Sequence, residues 1–140
     1  MSDMKSDIRT KYSAAQDTAV IIEELPDDAI IFENSEDYCN AVIPYLKTKK
    51  IYNPFSKTVA SYINRDPKLL HSMSYKDFIS VCKEMFPNAN GIYILMSKSS
   101  NCIDGLNEQL VNLSKYYITQ YEPIRRDEAF DIYYLLMEGK

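Results

Sequence analysis

Cations interleaved with aromatic rings can hold a nucleic-acid strand, because the cations neutralise phosphates while the rings stack on unpaired bases. Such a set runs through the middle of this sequence: Lys47, Lys49, Lys50, Tyr52, Phe55, Lys57, Arg65 and Lys68. Residues 44–76 carry seven basic groups against Asp66 alone, net +6. Residues 1–43 carry three basic groups against ten acidic, net −7, and residues 77–140 six against nine, net −3. Tyr45, Tyr62 and Tyr75 also fall in the basic stretch, but at positions where a core face would put them. Tyr52 and Phe55, flanking Pro54 in an irregular loop, are the rings expected to stand free.

The same layout supports a different use. A net charge of −4 and a pI near 5.0 give a long-range field that repels phosphates. The acidic first third can instead fold against the basic loop, or pair head to tail with a neighbouring subunit. Protein contact or self-association is therefore the leading expectation. Binding of single-stranded nucleic acid through residues 45–76 is the alternative.

Other chemistry is sparse. His71 is the one histidine, in the turn Leu70-His71-Ser72, with no local partner for a Cys–His or Ser–His nucleophile. Cys39, Cys82 and Cys102 form no CxxC pair, so neither a zinc knuckle nor a dithiol is written here. Cys39 and Cys82 lie on apolar faces and read as core. Cys102 sits near an expected helix start, where the helix dipole favours thiolate. Glu23-Glu24 and Asp27-Asp28 are adjacent acids that point apart on a helix, so neither pair chelates an ion unaided. Three glycines leave no GxGxxG or GxxxxGK[ST] loop to cradle a phosphate. No catalytic residue, cofactor or metal is expected.

Elements must position whatever the chain uses. Ser13-Ala-Ala-Gln16 has capping-box spacing and opens a helix that ends before Pro26. Ala29–Phe32 is short and apolar enough for a strand. Ser35, followed by Glu36 and Asp37, begins a helix in which Pro44 forces a kink or an end. A shorter helix is expected over 56–64, and Asp66-Pro67 fits a helix start. Ser74 opens the next helix, with Tyr75, Phe78, Ile79, Cys82, Met85 and Phe86 in one stripe up to Pro87. Gly91–Met96 reads as a strand. Leu106, Leu110, Leu113 and Tyr117 mark one face of a helix to about Tyr121, and Asp127 caps a last helix through Met137. Tyr116-Tyr117 and Tyr133-Tyr134 are adjacent in these helices, so one of each pair must leave the main stripe for a second contact or a partner.

The expected fold is α+β and predominantly helical, with five to six helices and two short strands near 29–33 and 91–96. An all-α bundle is the alternative. Residues 1–12 read as a polar tail and 13–140 as a single domain. No apolar run approaches the roughly 20 residues that span a bilayer, and unpaired thiols fit a reducing compartment, so an intracellular protein with no membrane partner is expected. Usage rich in isoleucine, lysine, asparagine and tyrosine is what AT-rich coding sequences give, as in many viruses, phages and low-GC microbes. Together these point to a non-enzymatic interaction protein, such as an adaptor, inhibitor, regulator or assembly factor of the kind viruses and phages encode.

Overall fold

A computed structural model describes residues 13–61, 72–120, 123–124 and 128–137. Helix α1 (Ala15–Glu23) buries Ala15, Thr18, Ala19 and Ile22, which recur at helical spacing on one face. Ser13 Oγ accepts the Ala15 N–H at 3.1 Å, so the serine ties the start of the helix. Strand β1 (Ile31–Glu33) follows, and all three of its residues are buried. Ser35 is extended ahead of helix α2 (Glu36–Cys39), but its hydroxyl meets Ser100 Oγ at 3.0 Å and does not cap the helix. The chain then tightens into a 3-10 turn over Asn40–Tyr45, with Pro44 inside it, and leaves helical geometry at Leu46.

Strands β2 (Tyr52–Asn53) and β3 (Thr58–Val59) form a hairpin where a helix over 56–64 is expected from sequence. Asn53 Oδ1 accepts the Phe55 and Ser56 N–H groups at 2.7 and 3.1 Å, and Lys57 takes a positive φ of 61°. That local side-chain bonding competes with a helix and stabilises the turn. Strand β4 (Met73–Ser74) leads into helix α3 (Tyr75–Met85), capped as read: Ser74 Oγ accepts the Asp77 N–H at 3.1 Å. The final elements are β5 (Gly91–Ser97), β6 (Ile103–Asp104), α4 (Leu106–Gln109) with a 3-10 turn over Leu110–Asn112, β7 (Ser114–Tyr117) and β8 (Phe130–Leu136).

Six strands make one mixed sheet in the order β3-β2-β1-β5-β8-β7; β4 and β6 pair separately in parallel. Strand β1 runs parallel to both β2 and β5, and β8 is antiparallel to β5 over seven residue pairs. Alternation divides the core by face. Ile31, Leu95, Phe130 and Ile132 join α1 and Cys39 in one cluster; Phe32, Ile92, Ile94, Met96 and Tyr133 join Phe78 and Cys82 of α3 in the other. Phe32 lies 5.8–5.9 Å from the rings of Tyr52, Phe78 and Phe86. Burying such a ring contributes roughly 1.5–3 kcal/mol.

This architecture overturns the helical expectation. Among the described residues there are four α-helices and eight strands, so the protein is neither predominantly helical nor an all-α bundle. The two strands expected near 29–33 and 91–96 are present as β1 and β5, but they are two of eight. The helix expected to about Tyr121 ends in its first two turns and becomes edge strand β7, while the last expected helix is strand β8. Asp66-Pro67 and the 1–12 tail lie outside the described residues. No helix among the described residues is long and apolar enough to cross a membrane.

Candidate functional site

The basic segment folds back onto the acidic one. Glu23, at the end of α1, accepts the N–H groups of Lys47, Thr48 and Lys49 and the Thr48 hydroxyl, the last at 2.6 Å; Lys49 Nζ donates to the Glu23 carbonyl at 3.1 Å. Partial desolvation would raise the Glu23 pKa, but these hydrogen bonds outweigh it and hold the carboxyl down at about 2. Tyr52 and Phe55 do not stand free. Tyr52 lies 5.0 Å from the Phe86 ring, and Phe55 is half-buried against the same cluster. Lys57 Nζ pairs with Glu84 at 3.2 Å. Lys47 and Lys50 are exposed, whereas Arg65, Lys68, Tyr62 and His71 lie outside the described residues. Tyr45, expected in the core, is 47% exposed.

The topology offers a second location. Beyond the carboxyl ends of β1 and β5 the chain leaves in different directions, which is where open parallel sheets bind ligands. Here that crevice is filled by protein. Asn34 Oδ1 accepts the Ser97 N–H at 2.9 Å and the Cys39 thiol at 3.2 Å, and its Nδ2 donates to the Ser100 carbonyl at 2.9 Å. Cys39 is pushed up by burial and by nearby Glu33, against the pull of backbone hydrogen bonds; Cys82 is pushed up by burial to about 12. Both thiols are inert core groups, as read from sequence. Cys102 is half-buried, and its N–H donates to the Asn34 carbonyl at 3.0 Å. Among the described residues no group of three His, Cys, Asp or Glu side chains could hold a metal ion.

The opposite end of the same strands is open. A groove of about 560 Å³ lies at the amino ends of β1 and β5, lined by Asp28, Phe86, Asn88, Gly91, Tyr93 and Tyr134 among others. Tyr93 and Tyr134 are register partners on the α1 side of the sheet, with ring centroids 4.9 Å apart. Tyr116 meets Tyr93 edge-on at 5.5 Å and is 46% exposed. It lies on that face by plain alternation, since Lys115 pairs with Tyr133 of the α3 side; the register slip between Lys115 and Tyr117 turns Tyr117 to the α1 side as well, opposite Ile132. Helix α1 packs on Leu95, Phe130 and Ile132 and leaves Tyr134 beyond its cluster. Burial, then the neighbouring Tyr116, Tyr134 and Asp28, raises the Tyr93 pKa.

Sequence reading missed this groove because it placed both tyrosine pairs on helices. On a strand, neighbours point to opposite faces. Tyr133 thus enters the α3-side core and Tyr134 the groove, an alternation legible only once β8 is known to be a strand.

Gly91 is what lets Tyr134 lie down. A methyl group at that Cα would sit 2.0 Å from the Tyr134 hydroxyl oxygen. We expect Gly91→Ala to swing the ring out of the groove at a cost of about 1–3 kcal/mol, typical of overpacking. Near-ultraviolet circular dichroism should show the altered tyrosine environment with the far-ultraviolet spectrum retained. An unchanged tyrosine signal would contradict the packing described.

Comparison with protein families, curated proteins and solved structures returned no match for this chain.

Proposed function

We propose that the protein is a non-enzymatic docking protein that holds a segment of a partner protein in the tyrosine-lined groove at the amino ends of β1 and β5. The observation that carries this reading is the ladder of Tyr93, Tyr134 and Tyr116 beside a groove of about 560 Å³, in which Tyr93 packs half-buried against the α1 cluster, Tyr134 lies beyond that cluster and Tyr116 is exposed. Tyrosine combines a large apolar ring with a polar tip at little entropic cost, which is why it is enriched at interfaces. The ladder borders edge strand β7, whose first three residues are exposed. The alternative, a single-stranded nucleic-acid site in the basic segment, has less support: Tyr52 and Phe55 are packed against Phe86 and its neighbours, and Lys49 is engaged with Glu23.

The test begins with capture of partners on the immobilised protein, followed by titration of a purified partner. Tyr116→Ala and Tyr134→Ala should each weaken binding about tenfold or more, as truncation of a buried interface aromatic does. Lys47→Glu/Lys50→Glu should leave it unchanged. A partner indifferent to both tyrosines would refute the proposal. So would a labelled oligonucleotide that binds in a salt-sensitive way and is lost on the lysine changes.

A further inference from the structure

We infer that the segment seated in this groove is basic and presents an arginine, whose guanidinium stacks on the tyrosine ladder and pairs with Asp28. This inference rests on the docking reading above and names its partner's chemistry. Three observations support it. The connection from α1 to β1, which lines the groove through Pro26 and Asp28, is acidic: Glu24, Asp27 and Asp28 are exposed, and none of the three has a cationic partner among the described residues. The contrast is with Glu23, one residue earlier, which is saturated by the 47–49 backbone. Asp28 lines the groove itself, and it is close enough to Tyr93 to be felt by that phenol. A single recess therefore offers a carboxylate and aromatic surface together.

That pairing discriminates between the two basic side chains. A guanidinium is planar, so one face can lie on a ring while its edge donates two parallel hydrogen bonds to a carboxylate. It also sheds water more easily than an ammonium, which is a compact and strongly hydrated point charge. Cation–π contact with a tyrosine face is correspondingly more often made by arginine. The wider charge layout favours the same occupant, since a net −4 surface attracts a cationic partner over distances beyond contact. A groove of about 560 Å³ accommodates a few side chains of an extended segment, too little for a folded domain to enter.

The probes are dye-labelled eight-residue peptides of alternating arginine and glycine, lysine and glycine, and aspartate and glycine, titrated by fluorescence anisotropy at two salt concentrations. The arginine peptide should bind about fivefold or more tightly than the lysine peptide, with no binding of the aspartate peptide. Asp28→Asn, an exposed change that leaves the core intact, should reduce arginine-peptide affinity about fivefold; Tyr134→Ala should do at least as much, and Tyr134→Phe should retain it. Equal affinity for arginine and lysine would overturn this inference and leave the docking reading standing. A partner that needs Tyr116 and Tyr134 but carries no basic segment would do the same. A dimer seen by sedimentation without peptide and lost on Tyr134→Ala would assign the face to a second copy and overturn it too. The docking reading itself fails on other results: a partner indifferent to the tyrosines, or salt-sensitive oligonucleotide binding lost on Lys47→Glu/Lys50→Glu.

Discussion

Asn34→Ala is expected to lower stability by about 3–5 kcal/mol, a large share of the roughly 5–15 kcal/mol that holds a domain folded. Asn34 is fully buried and takes the place of a ligand beyond β1 and β5. Its side chain satisfies the Ser97 N–H, the Cys39 thiol and the Ser100 carbonyl, and its backbone joins Leu95 to Cys102. Truncation strips the Ser97 N–H and the Ser100 carbonyl of this partner, each at about 1–3 kcal/mol, leaves the Cys39 thiol with only the Leu95 carbonyl at 3.5 Å, and opens a void where the amide was. Asn34→Asp should be nearly as damaging, because a carboxylate cannot donate to the Ser100 carbonyl and would sit beside Glu33. Urea unfolding near neutral pH measures the effect as a fall in midpoint at constant slope. Asn88→Ala, on the exposed turn after α3, should shift the midpoint little. A loss below about 1 kcal/mol for Asn34→Ala would mean the network does not hold the two strands together.

Asn34 also marks the limit of what the sequence could disclose. An asparagine between an apolar run and Ser35 reads as turn chemistry; its long-range partners Leu95, Ser97, Ser100, Asn101 and Cys102 do not appear in any local pattern. The same limit explains which elements were legible. Helix α3 announced itself through a full apolar stripe, a serine cap and a proline stop, all of which the structure retains apart from a half-buried outer edge. Strand β5 was legible as a short apolar run between turn residues. Strand β8, Phe130-Asp-Ile-Tyr-Tyr-Leu-Leu, was not, because it is buried on both faces and so lacks the alternation of a one-sided strand. Its aromatic content was the available signal. In the 106–117 stretch the leucines keep helical spacing, but β7 pairing with β8 claims the second half, and tertiary contact overrides propensity.

The groove residues were in view as tyrosine pairs needing a second contact, yet their assembly depends on register. Tyr93 and Tyr134 meet because β5 and β8 pair antiparallel over their whole length, and Tyr116 joins them because Ser114 pairs with Tyr134 and Tyr116 is two residues further along β7. The basic segment is legible as a charge run, and its charge is complementary to the acidic first third, from which Glu23 meets it. What composition could not reveal is that Tyr52 and Phe55 would be drawn inward by Phe32 and Phe86.

The second large effect concerns pH. Glu33 is completely buried in the central strand, and neither carboxyl oxygen has a hydrogen-bond partner among the described residues. Burial, reinforced by the charge of Glu36, pushes its pKa well above the ordinary value of 4.5. Below that value both folded and unfolded chains hold the proton, and the group costs nothing through ionisation. Above it the unfolded chain releases the proton while the folded one keeps it. Stability then falls by about 1.4 kcal/mol for each pH unit until the folded pKa is reached. Glu23 acts with the opposite sign: its contribution is present above 4.5 and is lost as pH falls toward 2. Wild-type stability should therefore pass through a maximum near the ordinary carboxylate range, weakened by Glu23 on the acid side and by Glu33 on the neutral side.

Glu33→Gln removes the neutral limb alone. Its stability should match wild type at about pH 4 and exceed it by a widening margin toward neutrality, at a slope near 1.4 kcal/mol per pH unit. Glu33→Met goes further, since replacing an unpaired polar group by an apolar one of similar length removes the desolvation cost at every pH. It should be the more stable variant even in acid. Glu23→Gln should flatten the acid limb and leave the neutral one untouched. Thermal melts from about pH 2 to 8 across the four proteins separate the two carboxyls, with Glu23 read on the acid side and Glu33 alone over the range from about pH 4 to 8. A wild-type curve that is flat over that range would show that Glu33 ionises without penalty, and hence that a cation reaches it. If the slope is present, the fold carries a carboxyl that opposes it at neutral pH, and the stability lost there is set by this one side chain in the strand next to Asn34.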